Sequence, residues 1–147
     1  MKSQTLLTIT LVLLILGIAL FTFSMRNQEP AQTFSATVNR DCAPWDGAAF
    51  TLSVPLKDGN AISISIWQTP AIKSPVAFSF PDNTGQVGNA TLILANENYE
   101  ALTGDVRFEG VGEGMPIEGR YNFTSEGGEQ LIGRFKAEWG SQIMLCG

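Results

Sequence analysis

The sequence predicts an all-β domain of about nine antiparallel strands, folded as a β-sandwich or flattened barrel and preceded by one amino-terminal transmembrane helix. Three observations carry this reading. A long uncharged stretch opens the chain, apolar and polar residues alternate in short runs after it, and turn residues separate the runs at near-regular intervals.

The alternation is clearest from Leu102 to Trp139, where apolar-x-Gly-x-apolar-x-apolar occurs three times in succession. The copies are Leu102-Gly104-Val106-Phe108, Ile117-Gly119-Tyr121-Phe123 and Leu131-Gly133-Phe135-Ala137, with Trp139 extending the last. Turn residues at Gly110 to Gly114 and Ser125 to Glu129 make this a three-stranded meander. Setting Tyr121 opposite Gly133 also sets Phe135 opposite Gly119, so each ring covers bare glycine backbone, and Glu118 then faces Lys136. For the other pair, charge places Val106 opposite Gly119, with Arg107 facing Glu118 and Asp105 facing Arg120. The charged stripe reads as a solvated outer face, and the inward glycines point to a coiled sheet.

No charge lies between Lys2 and Arg26. As a helix, Ser3 to Met25 would span roughly 34 Å, enough for a ~30 Å hydrocarbon layer. Residues 1–26 therefore read as a membrane anchor crossing through Thr5 to Phe23. A retained anchor is favoured over a cleaved signal, which would leave a secreted domain, because the apolar core is long and Thr22-Phe23-Ser24 is a poor cleavage site. Residues 27–32, with Pro30, form a short linker to a folded domain at 33–147. Cys42 and Cys146 are the only cysteines. With no histidine to complete a zinc site, they read as a structural disulfide, which places the domain outside the cytoplasm. From Asn27 onward seven basic residues, the chain's nine less Lys2 and Arg26, face all fourteen acidic ones, a net charge of −7. Nucleic acid and anionic membrane surfaces are disfavoured partners for such a domain.

Along the chain, Phe34, Ala36 and Val38 mark the first strand, and Asp41 to Gly47 is a loop carrying Cys42 and Trp45. The runs Phe50 to Leu56 and Ile62 to Ile66 flank Lys57-Asp58-Gly59-Asn60 as a hairpin. Val76 to Phe80 and Ala90 to Leu94 follow, then a polar loop with Tyr99, the meander, and a last short strand at Gln142 to Cys146.

The chemistry expected is binding. Absence of histidine removes the usual general base and metal ligand, and a disulfide removes the thiol nucleophiles. Lys57, Lys73 and Lys136 lie in a turn, a loop and a charged strand face, none suited to an activated amine. No catalytic residue, cofactor or metal site is assigned. Asp82-Asn83-Thr84-Gly85 reads as a turn rather than a calcium loop. The aromatic residues that alternate with the apolar face are core. Trp67, outward beside Ser63 and Ser65, and Trp45 and Tyr99 in loops are off that pattern, and these three are the candidate binding residues. Trp45 is also expected to cap the sandwich or pack on the disulfide. The expected function is a membrane-tethered, non-catalytic binding or envelope-assembly domain with an envelope protein partner. The alternative is a carrier or sensor of a small apolar or sugar ligand in a cavity inside the coiled sheet beside Gly104, Gly119 and Gly133, lined by Tyr121 and Phe135.

Overall fold

A computed structural model describes residues 32–67, 75–111, 115–141 and 144–146. The expected anchor and all of the expected linker but Gln32 lie outside them. Among the described residues no helix is long and apolar enough to cross a membrane.

The domain is a closed β-barrel. Its strands are β1 (Thr33–Cys42), β2 (Ala48–Pro55), β3 (Ala61–Ile66), β4 (Val76–Phe80), β5 (Gly88–Ile93), β6 (Tyr99–Gly110), β7 (Ile117–Ser125) and β8 (Gln130–Trp139). Pairing runs β6-β5-β3-β2-β1-β8-β7 and returns to β6, with β4 as an extra strand on β6. Because β6 is long, β5 uses its first residues (Thr91↔Ala101, Ile93↔Tyr99) and β4 the rest of the same edge (Phe80↔Gly104, Val76↔Phe108). An odd ring of alternating strands cannot close antiparallel throughout. The mismatch falls at β1 and β8, which are parallel, Thr33↔Arg134 to Val38↔Trp139. This corrects the all-antiparallel expectation. Of the expected ninth strand at Gln142 to Cys146, the described residues Met144 to Cys146 are not in a strand, and Cys146 is held by its disulfide to Cys42.

The interior is filled by side chains of alternate parity, as a small barrel requires. Phe108, Phe123, Ile62, Ile64, Val54 and Val106 are fully buried. Phe108 meets Phe50 at 5.8 Å and Phe135 at 5.7 Å, both edge to face, and Tyr121 stacks on Phe123 at 6.1 Å. At one mouth the Arg40 guanidinium lies 5.4 Å over the Trp139 ring.

The β7–β8 register is the expected one, with Gly119↔Phe135, Tyr121↔Gly133 and Glu118↔Lys136. The β6–β7 register is not. It is displaced by two residues, so that Phe108 faces Gly119, Gly104 faces Phe123 and Arg107 faces Arg120, with a bulge between Phe108 and Gly110. Aromatic-over-glycine pairing therefore overrides charge complementarity, which contributes only about 0.2 to 1 kcal/mol per exposed pair. At Gly104 the choice is enforced by backbone: φ is 142°, and a Cβ would run into the Asn122 carbonyl.

Candidate functional site

Strand parity and register carry the outward side chains of β1, β2, β3 and β5 into rows. Asn39, Thr51, Ser65 and Asn89 are successive partners across the four strands. Two residues further along each strand, Thr37, Ser53, Ser63 and Thr91 form a second row. Both rows hold only hydroxyl and amide side chains, so between them they are polar without charge.

Its upper edge is ordered by Asp41. The carboxylate accepts the Cys42 N–H at 2.8 Å and the Thr51 hydroxyl at 2.7 Å. Thr51 has one hydroxyl proton, and it goes to Asp41. The 2.9 Å contact between Thr51 and Ser65 must then be donated by Ser65, leaving the Ser65 oxygen as an acceptor.

Trp67 stands two residues beyond Ser65 on the same face, half-buried, its backbone N–H donated to the Val87 carbonyl at 2.8 Å. Trp45 is 51% exposed in a turn closed by Ala43 N–H to Gly47 O at 2.7 Å. A Cβ on Gly47 would sit 2.9 Å from Trp45 Nε1, so the glycine lets the indole fold over its own turn. That ring meets Trp67 edge to face at 5.9 Å. Trp45 therefore joins a tryptophan pair. Tyr99 lies not in a loop but at the start of β6, 70% exposed. It belongs to the row Pro55, Ala61, Ile93, Tyr99 at the opposite end of the face. Six residues along β3 separate that row from Trp67, roughly 20 Å. The three aromatic candidates thus share one face and bracket it: the tryptophan pair at one end, Tyr99 at the other.

The outer face of β6, β7 and β8 is different in kind. It carries Asp105, Arg107, Glu118, Arg120, Arg134 and Lys136, with Lys136 Nζ 3.2 Å from Glu118 and Arg107 Nε 3.6 Å from Glu109. The two surfaces meet at β1 and β8, where a surface depression of about 460 Å³ is lined by Ser35, Thr37, Lys136, Glu138 and Trp139.

The loop after β4 behaves as a turn. The Asp82 carboxylate accepts backbone N–H groups from Thr84 at 3.0 Å, Gln86 at 3.2 Å and Val87 at 2.7 Å, and also from Gly85. Desolvation would raise its pKa, but hydrogen bonds from Val87, Gly85 and Thr84 outweigh that and hold it below the usual carboxylate value. Those oxygens serve the loop, whose Val87 in turn holds Trp67. Inside the barrel, the spaces beside Gly119 and Gly133 are taken up by the rings of Phe135 and Tyr121. Burial pushes the Tyr121 phenol up to about 12.

No family model, curated protein or solved structure matches this chain. The hydroxyl rows and Asp41 are functional candidates that single-strand reading misses. The available signal was the outward run Thr51, Ser53, Ser63, Ser65 across the β2–β3 hairpin, whose short turn fixes Pro55 against Ala61.

Proposed function

We propose that this chain is a non-catalytic binding module of the cell envelope, held outside the cytoplasm by its apolar amino-terminal segment, whose ligand is a neutral linear saccharide lying along β3. The observation that carries the reading is the uncharged hydroxyl and amide face with aromatic side chains at both ends.

Each alternative ligand lacks something this face would have to supply. An extended peptide adds to a free sheet edge. Here β2 and β3 are paired on both sides, so their ladder groups are taken. Protein interfaces deplete serine at their cores, and serine and threonine are rare among hot spots. An anionic ligand finds no cation in either row. A pyranose chain has C–H faces that pack on indole and phenol rings and a hydroxyl periphery that needs donors and acceptors, as Ser65 and Asn89 provide. The ring-filled spaces beside Gly119 and Gly133 favour this surface over an internal carrier site.

The test is calorimetry of the full chain in phospholipid nanodiscs with cellohexaose, chitohexaose and maltohexaose, and with hexagalacturonate as the charged control. At least one neutral hexasaccharide should bind saturably, at least about tenfold more weakly to Trp45→Ala and to Tyr99→Ala. No saturable binding, binding to either variant as tight as to the parent, or preference for hexagalacturonate would overturn the proposal.

A further inference from the structure

The observed β6–β7 register has an electrostatic cost that the fold does not require of these residue types. Arg107 faces Arg120, and Arg120 faces Arg134, so three arginines stand side by side across β6, β7 and β8. Like charges directly opposite in a sheet repel. Two carboxylates beside the row are engaged elsewhere: Glu118 with Lys136, and Asp105 with the Ser79 hydroxyl. Glu109 stands 3.6 Å from Arg107 Nε, too far for a hydrogen bond, and among the described residues that buried Nε atom has no hydrogen-bond partner. Arg120 and Arg134 are exposed.

We infer that the arginine row is a second binding site, separate from the uncharged face, for a ligand bearing adjacent phosphate groups. Neighbouring strands are about 4.8 Å apart, so the row spans about 10 Å. A lone carboxylate is satisfied by one guanidinium fork, whereas a tetrahedral phosphate has oxygens enough to accept from two guanidiniums at this spacing. A linear run of phosphates would neutralise all three arginines. The domain's net negative charge does not oppose this, because at physiological salt fields are screened within about 8 Å and the local stripe decides.

The discriminating variant is Arg120→Thr, which removes the central charge and leaves a good strand former. Binding of inorganic tripolyphosphate to the full chain in zwitterionic nanodiscs should fall at least about tenfold, while thermal stability stays level or rises because repulsion is relieved. Lys57→Ala, in the distant β2–β3 turn, should bind as the parent does. Citrate should compete poorly. Nanodiscs containing phosphatidylinositol bisphosphate distinguish the source: competition with tripolyphosphate would assign the row to a lipid headgroup, and none to a free or polymeric phosphate. Absence of saturable tripolyphosphate binding, binding undiminished in Arg120→Thr, citrate binding as tightly as tripolyphosphate, or a loss of stability in Arg120→Thr would overturn the inference.

Discussion

The ring of Tyr121 lies across the bare backbone of Gly133 on the neighbouring strand, with its Cζ 2.6 Å from where a Cβ on that glycine would stand. The three atoms nearest to that point all belong to the Tyr121 side chain, so the pair should be separable by mutation. Gly133→Ala is expected to cost about 1 to 3 kcal/mol as overpacking. In a Tyr121→Leu background the same change should cost clearly less, a coupling on the order of 1 kcal/mol. Equilibrium denaturation of the four proteins checks this, and additivity would contradict it.

The same ring gives the barrel an alkaline limit. Tyrosine in an unfolded chain titrates near 10, and burial raises Tyr121 to about 12. A raised acid contributes stability that is intact below pH 10 and is lost as pH rises through 12. The loss should be about 2 to 3 kcal/mol. Titration of tyrosinate absorbance in a Tyr99→Phe variant, alongside denaturation at each pH, reads it directly.

Asp82 sets a limit at the other end. Its lowered pKa means that its contribution is present above the ordinary carboxylate value and is lost as pH falls through the folded one. Asp82→Ala should release the loop that ends at Val87 and so loosen Trp67, whose backbone N–H the Val87 carbonyl accepts. The expected readout is faster amide exchange at residues 84–87 and at Trp67, with β7 and β8 unchanged.

The disulfide joins residues 104 apart and anchors the turn that carries Trp45. Cys42→Ser with Cys146→Ser should cost up to about 4 to 5 kcal/mol in the chain-entropy limit. It should also weaken saccharide binding, since Cys42 leads directly into the Ala43–Gly47 turn.

Strand parity was readable wherever one face is buried, which is why Phe108, Phe123 and Phe135 were assignable to the core and Trp67 to the outside. Closure was not readable, because the parallel β1–β8 pair joins segments at opposite ends of the sequence and no local turn specifies it. The β6–β7 error is instructive. Charge suggested Arg107 opposite Glu118, yet the Phe108–Gly119 and Phe123–Gly104 pairs set the register, as aromatic–glycine pairing had already done for β7 and β8. The candidate site was legible only as three isolated aromatics. Placing Trp45, Trp67 and Tyr99 around one face takes the pairing of β1, β2, β3, β5 and β6, which no single strand encodes.

The most direct test of the central claim is a chemical-shift map of the isotopically labelled chain in nanodiscs, titrated with the tightest-binding neutral hexasaccharide. The indole N–H signals of Trp45 and Trp67 and the amides of Ser63, Ser65 and Tyr99 should move together, while those of Gly119, Arg120 and Arg134 stay fixed. Shifts confined to β7 and β8, spread through the barrel interior, or absent altogether would contradict the assignment of the uncharged face as the saccharide-binding surface.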